Sequence, residues 1–422
     1  MRIFVLNCGS SSVKYQLIDT DFEKIQEQQE MVLARGTVEK IGLSPSISVY
    51  QIVKENPLLL PQKRDNLPPP EKEPVEIVDH IAAIRYAIKC LTDPKTGVMT
   101  DTSEIDAVGH RVVHGGEKFR KSQVITQEVL DNIRACVEFA PLHNPHNLRG
   151  YAAAKELLPN CPQVAVFDTA FHQTMPPHAY LYGLPYVIYQ KHGIRRYGFH
   201  GTSHRYVSYR LGQLCGVDRD EFRIITVHLG NGCSMAAVDH GKSIDTTMGF
   251  TPLEGLLMGT RTGDLDASVP LTLMAKEEIT LAEANAMMNK HSGLYGISGV
   301  SNDMREIIRA ALDRKHDRAK VAFDMFCYRI KKYVGAYAAA MGGVDHIVFT
   351  GGIGENSREV RAESLKDMEF MGIEIDPELN RMPNSVEGKI SKGPVGVWII
   401  PTNEELVIAR DTVRAIKGVD YP

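Results

Sequence analysis

The sequence predicts an α/β protein of two duplicated domains, and three observations carry that prediction. Residues 1–19 (MRIFVLNCGSSSVKYQLID) read as strand, polar turn, strand: Ile3, Val5 and Leu6 form an apolar run, and Val13, Tyr15 and Leu17 alternate with polar neighbours. The pattern returns half a chain later, where the apolar run 224–229 meets GNGCS (230–234) and a second strand ending in Asp239, as the first ends in Asp19. A third glycine cluster, TGGIGEN (350–356), follows the apolar run 346–349 and precedes a helix expected through 359–371. Two similar strand–turn–strand units at such a spacing indicate duplication, with two phosphate-binding hairpins facing one cleft.

The first turn holds Asn7, Gly9, three serines and then Lys14. This inventory suits a phosphate chain: glycine lets the backbone approach, hydroxyls donate, and one cation stands nearby. It differs from a Walker A loop, which has a second Gly before its Lys and opens a helix rather than a strand. Farther on, Ile77, Ile81, Ile84, Ile88 and Leu91 mark one amphipathic helix, and Val129, Leu130, Ile133, Val137 and Ala140 mark another. Thr280 with Glu283 reads as a capping box, and 319–341 as a long helix stopped by Gly342–Gly343, its aromatic side chains serving the core or a subunit interface. Strands at 106–108, 164–167, 224–229, 346–349 and 397–400 complete the alternation, and 57–74, rich in Pro and Lys, reads as an exposed excursion.

A chain of 422 residues is long for one core and suggests two domains. Apolar content of 43% and charged content of 24% are those of a globular protein, and a net charge of −4 gives no reason to expect nucleic acid or an anionic membrane as partner. No apolar run reaches the roughly 18 residues of a membrane span, and no basic-then-apolar leader precedes the first strand. The seven cysteines are scattered without a CxxC, which argues for reduced thiols and a cytoplasmic setting; Cys8 and Cys233 read as small fillers in the turns. With 15 histidines but no HExxH or comparable spacing, zinc is not expected.

The order NxGSSSxK, HLGNGxS, TGGIGEN resembles the acetate kinases, within the superfamily of actin, sugar kinases and heat-shock ATPases. The resemblance extends to GHRVVHGG (109–116), PLHN (141–144), FDTAF (167–171), RYGFHGTSH (196–204), DTTMGFTPLEGLLMGTR (245–261) and PTNEELVIARDT (401–412), and so spans nearly the whole chain. The visible departure is 56–74, longer than the family pattern. The resemblance implies two ribonuclease-H-like, actin-like ATPase domains with the active site in a cleft between them. In that superfamily the first domain recaptures the C-terminal segment, placing the domains at 1–168 with 405–422 and at 169–404, the second binding nucleotide and contributing a dimer interface.

The implied reaction is reversible, magnesium-dependent transfer of the ATP γ-phosphoryl group to acetate by direct in-line displacement. A carboxylate brings its own nucleophilic oxygen and needs no general base, whereas two anions meeting demand cations. Arg111 and Arg261, in turns beside glycine, are by resemblance the two catalytic arginines, suited because a planar fork holds a carboxylate or phosphoryl group bidentately. Both stand outside any periodic apolar face, so their replacement is expected to spare the fold. His200 corresponds to the family histidine that contacts the transferring group; His143 is a further active-site candidate, at the transition state or supporting it. His110, His114, His172 and His204 read as structural.

Asp168, ending an apolar strand, is by resemblance both catalytic and a magnesium-side carboxylate, with Glu404 and Asn7; manganese is an alternative metal, and Glu405 is expected to face elsewhere. ATP or ADP falls to Ser12, Lys14, His228, Gly230, Asn231, Gly232, Gly351, Gly352, Ile353, Gly354 and Asn356. Val113, Leu142, Phe199 and Pro252 form the pocket implied for the substrate's methyl group. One methylene changes selectivity by only about 1–3 kcal/mol, so propionate kinase is the neighbouring reading. An actin-like or chaperone-like nucleotide switch is the reading of a different class, and it has no need of a carboxylate-binding arginine pair. A homodimer is the assembly the resemblance implies.

Overall fold

The computed structural model describes residues 1–53, 72–141, 143–383 and 386–419. The chain divides into two units, Met1–Ala170 with Asn403–Pro422 and Phe171–Thr402. Most of the proline-rich excursion lies outside the described residues. Its last residues form a short strand, β5, instead of continuing as loop.

In the first unit, β1 (Arg2–Cys8), β2 (Ser12–Asp19), β3 (Met31–Glu39), β4 (Ser46–Ile52), β5 (Lys72–Val75), β6 (Ala107–Val112), β7 (Gln123–Val124) and β8 (Gln163–Phe167) form one sheet, in the order β5-β4-β3-β2-β1-β6-β8-β7. The β1–β5 run is antiparallel; β1, β6 and β8 are parallel. Helices cover both faces, which is why β1 reads as a nearly unbroken apolar run. Ile3 and Val5 pack against Ile408, Ala409 and Val413 of helix Glu404–Lys417. Phe4 and Leu6 face Ala83, Ile84 and Ala87 of helix His80–Leu91 and Ala153 and Ala154 of helix Asn144–Leu157. Gly109 admits the final helix: a Cβ there would stand 2.4 Å from Thr412 Oγ1.

The second unit repeats this plan. Its strands β9 (Arg223–Leu229), β10 (Cys233–Asp239), β11 (Lys242–Thr246), β12 (His346–Thr350), β13 (Gly388–Lys389) and β14 (Gly396–Ile399) take the order β11-β10-β9-β12-β14-β13. Three antiparallel strands, two parallel ones and a short antiparallel edge match β3-β2-β1-β6-β8-β7 one for one. The covering helices are Gly201–Cys215, whose Val207 and Leu211 meet Ile224, Ala236 and Val348, and the long Asp317–Met341 against β9 and β10. Phe323, Phe326 and Tyr337 of that helix are core residues. Gly342, at φ +69°, ends it.

The expected capping box is present, with Thr280 and Glu283 exchanging both of its bonds. Asp79 and Thr126 accept from backbone amides at the starts of His80–Leu91 and Gln127–Ala135. The helix expected through 359–371 is different. Gly351–Asn356 is already helical, Ser357 breaks the run with ψ 96°, and a second helix, Arg358–Ser364, ends early. The Ser357 hydroxyl starts that second helix by accepting from the Val360 amide at 3.3 Å.

Candidate functional site

In the first unit a charged cluster gathers where three sequence blocks end. Arg111, near the end of β6, donates from Nε to both oxygens of Asp168 at 3.1 Å and from Nη2 to Oδ2 at 2.7 Å. Asp168 follows β8 directly, and its amide donates to the Val112 carbonyl. Nη1 of Arg111 stands 3.5 Å from Asn7 Oδ1 on β1, and Glu404, opening the last helix, lies 3.8 Å from Nε. Burial works against the guanidinium's charge, but the charges of Asp168 and Glu404 outweigh it and drive its pKa up. Glu405, next along the helix, lies within electrostatic reach of this cluster. Burial and the Glu404 charge push its carboxyl up, while Lys14 and Arg111 pull it down.

The tip of the first hairpin is closed by the Gly9 amide donating to the Ser12 carbonyl at 2.8 Å, with His80 Nε2 on the Gly9 carbonyl. Lys14, exposed, is the cross-strand partner of Asn7. Val113 is buried, its amide donating to Asn147 Oδ1, while Asn147 Nδ2 donates to the Cys8 carbonyl at the end of β1. Asn144 takes the His114 amide and returns a bond to its carbonyl. The PLHNPHN segment therefore clamps the loop that follows Arg111. His143 is the residue before the first turn of that helix, half-buried. Leu142 lies outside the described residues. Cys8 and Cys233 are buried thiols pushed up to about 12 by that burial, as fillers should be.

In the second unit the hairpin between β9 and β10 is one residue tighter: Gly230–Gly232 separate the paired Leu229 and Cys233, whereas Gly9–Ser12 separate Cys8 and Val13. A methyl group placed on Gly232 would lie 3.5 Å from Arg261 Nη1 and 3.7 Å from His200 Nε2, so these two side chains meet over the hairpin tip. Arg261 Nη1 donates to the Pro252 carbonyl at 3.0 Å. Among the described residues no carboxylate pairs with it, and burial depresses its pKa. Pro252 thus contributes a carbonyl to Arg261 besides its ring. Phe199 is buried, and its carbonyl accepts from His172. Arg196 ties these blocks together by donating to the carbonyls of Thr246 and Thr247 and to Glu254.

His200 sits in the left-handed region, φ +55°, at the N-cap of helix Gly201–Cys215. Its Nδ1 is 2.9 Å from Ser234 Oγ, and its ring stacks on His228 at 4.3 Å. His228, at the end of β9, bonds Ser203 Oγ through Nδ1. His172 and His204 are fully buried and hydrogen-bonded within the fold; burial takes His172 down to about 4 and His204 well below the ordinary value.

Beside this hairpin lies a cavity of 880 Å³, lined by Gly230 and Asn231, by Gly352, Ile353, Asn356, Ser357 and Glu359, and by Asn302–Arg305 with Ile308. Its size falls in the range of small-molecule sites. The stretch 302–305 escaped the sequence reading. Its usable signal was Asp303 as a helix cap accepting from the Arg305 amide, and a cap alone points to no ligand. Asn302 reaches Asn231 Oδ1 at 3.2 Å, which brings it to the hairpin. Two further residues shape the glycine turn. Glu355 accepts the Gly351 amide at 2.9 Å, so Gly351 contributes space and its φ of +76° more than a donor. Buried Arg361 donates to the carbonyls of Gly354 and Glu355.

Asn7, Asp168 and Glu404 offer only oxygen donors, as a hard cation such as magnesium requires. Among the described residues no group of three or more His, Cys, Asp or Glu converges as ligands. This donor set suits an ion that keeps water and phosphate oxygens in its shell and not a closed protein cage. No helix of the described residues is long and apolar enough to cross a membrane.

Comparison with known proteins agrees across the whole chain. The acetate kinase of Thermoanaerobacter pseudethanolicus is 49% identical over 420 residues, covering 99% of this chain and all of the relative. The crystal structure of Porphyromonas gingivalis acetate kinase superposes with a TM-score of 0.87 at 49% identity, over 98% of this chain and 99% of the other. A propionate kinase from Francisella tularensis gives 0.86 at 39% identity, over 99% and 100%. The model of the acetokinase family matches residues 2–410, and the chain belongs to that family.

Proposed function

We propose that this kinase transfers the γ-phosphoryl group of ATP to acetate, giving acetyl phosphate and ADP, and runs in both directions. The observation that carries the reading is Arg261: a half-buried guanidinium with no carboxylate partner among the described residues, beside His200 at the tip of a glycine hairpin. Such a cation, partly desolvated and unneutralised, favours an anion or a transition state gaining negative charge. The nucleotide base and ribose fall to the cavity lined by Asn302–Arg305 and Gly352–Asn356, with its phosphates on the Gly230–Gly232 turn.

An acetate oxygen attacks the γ-phosphorus as the bond to the β-phosphate oxygen breaks, and ADP leaves with that electron pair. Acetate is already ionised at neutral pH, so no side chain removes a proton. Asp168, held by three bonds from Arg111, serves as that guanidinium's orienter and is a poor base. This also disfavours a sugar kinase, which needs a base for a hydroxyl. Magnesium, when bound by Asp168, Glu404 and Asn7 together with phosphate oxygens, neutralises charge on the nucleotide. Val113 in the first unit, and Phe199 and Pro252 in the second, are each candidates to limit the acid's length and so to favour acetate over propionate. The higher identity to acetate kinases than to the propionate kinase supports that order. Seven unpaired cysteines support a reducing cytoplasm, and family membership supports a homodimer.

The test is direct. Purified protein with ATP, magnesium and a panel of short carboxylates should yield a hydroxylamine-trappable acyl phosphate with acetate, less with propionate, and no glycerol-dependent or hexose-dependent ADP. ADP release stimulated by glycerol but not by acetate refutes the reading.

A further inference from the structure

Behind His200 the second unit holds a chain of hydroxyls and imidazoles that the phosphoryl-transfer reading leaves unused. Ser234 Oγ lies between two rings, 2.9 Å from His200 Nδ1 and 2.7 Å from His204 Nε2. The other nitrogen of His204 is 2.7 Å from Thr226 Oγ1. Ser234, His204 and Thr226 are all fully buried, so bulk water does not compete for these bonds.

A hydroxyl owns one hydrogen, and a neutral imidazole owns one N–H. Accepting from both rings would leave the buried Ser234 hydrogen without an acceptor, so Ser234 donates to one ring and accepts from the other, and the choice propagates along the chain. The alternative acceptor for the Thr226 hydroxyl is the Ala236 carbonyl, 3.5 Å away, at the limit of a hydrogen bond. His204 Nδ1 at 2.7 Å is the better acceptor. The Thr226 hydroxyl then donates to His204 Nδ1, His204 Nε2–H donates to Ser234, and the Ser234 hydroxyl donates to His200 Nδ1. The opposite order would leave the Thr226 hydrogen to the distant carbonyl. Burial keeps His204 neutral throughout, since its pKa lies well below the ordinary value. The groups facing His200 include His228, stacked on it from β9, Arg261 across Gly232, and His204 through Ser234.

We infer that Thr226, His204 and Ser234 act as positioning residues that hold His200 neutral as its Nε2–H tautomer, a fixed hydrogen-bond donor beside Arg261 for the phosphoryl oxygens. This rests on the reading of His200 as a contact of the transferring group. A neutral donor stabilises charge that develops on the phosphoryl oxygens without becoming a proton source for the departing ADP. The left-handed backbone at His200 fits the same purpose, since it fixes the direction of the ring from the end of a helix.

The test is the protonation pattern of the ring itself. Long-range proton–nitrogen correlation spectra of the ¹⁵N-labelled full chain at neutral pH would be compared with those of His200→Gln, which identifies the signal by its loss. His200 should show a protonated Nε2 and an unprotonated Nδ1; a protonated Nδ1 in the wild type overturns the inference, whatever the activity. In Ser234→Ala the pattern should move toward a tautomer mixture, with kcat down about ten-fold and KM for acetate within about two-fold. An unchanged pattern in a folded Ser234→Ala also overturns it, and if that variant fails to fold the wild-type spectrum still decides. His200→Ala separates the two readings: full turnover there removes His200 from catalysis while the tautomer result stands on its own.

Discussion

Both oxygens of the Asp168 carboxylate accept from Arg111, Nε lying 3.1 Å from each and Nη2 2.7 Å from one. Asp168 is 1% exposed, so this pair is an interior one, and removing either partner takes three charge-assisted bonds from the other. The two catalytic candidates among the arginines therefore differ. Arg111 is neutralised and oriented by an acid, whereas Arg261 has no carboxylate partner among the described residues and donates to the Pro252 carbonyl and toward the Met258 sulfur.

Arg111→Ala and Arg261→Ala should consequently separate stability from turnover. Loss of Arg111 takes three charge-assisted bonds from a buried carboxylate and should cost about 3 kcal/mol in denaturant unfolding, giving a folded but less stable protein. Loss of Arg261 should change stability by less than about 1 kcal/mol yet reduce kcat by roughly two to three orders of magnitude, the scale for one preorganised transition-state contact. Equal destabilisation of the two variants would contradict the difference in their surroundings.

Gly352 lines the cavity proposed for the nucleotide, and a Cβ added there meets nothing within 4 Å. Gly352→Leu should fold normally and place its side chain in the cavity. A melting temperature within about 2 °C of wild type, with KM for ATP raised at least about ten-fold, is the expected result in thermal and steady-state assays. An unchanged KM would move the nucleotide elsewhere.

Val113 is 5% exposed and its backbone is clamped by Asn147, so Val113→Ala opens space without releasing the loop. Propionate can refill that space and acetate cannot. At about 0.8 kcal/mol per buried methylene the ratio of kcat/KM for propionate over acetate should rise several-fold. An equal loss toward both acids in the same competition assay would make Val113 a packing residue.

His110 and His172 are buried as neutral rings and titrate at about 4, against an ordinary 6.5. The unfolded chain takes up their protons first as pH falls. Their contribution is thus complete above pH 6.5 and lost between 6.5 and 4. Each should lower unfolding free energy by about 1.4 kcal/mol per pH unit within that window. Urea titrations at pH 7, 6 and 5 check this, and a flat profile between 6 and 5 would show that these rings are protonated in the fold.

Much of this architecture was legible because it repeats. β1 and β9 announce themselves as apolar runs meeting glycine turns, and the topology confirms that each opens the same strand plan. Arg111 and Asp168 were legible as strand-end residues, but their pairing was not, since 57 positions separate them. The charges acting on Glu405, from Glu404, Lys14 and Arg111, were not legible, because they depend on how the last helix packs. Asn302–Arg305 carried no glycine pattern and became visible only when the fold set them against the second hairpin. The Ser234–His204–Thr226 chain was hidden for a similar reason, because it joins a helix to two neighbouring strands and leaves no spacing to read.

The last helix has a consequence for synthesis. Residues 1–170 leave the ribosome with one face of their sheet still waiting for Ile408, Ala409 and Val413, which are made only after all of the second unit. At ~5–20 residues per second the delay is on the order of tens of seconds. During it the face built from Ile3, Val5, Val164 and Val166 lacks the helix that packs against it in the finished fold. Its first unit is finished last.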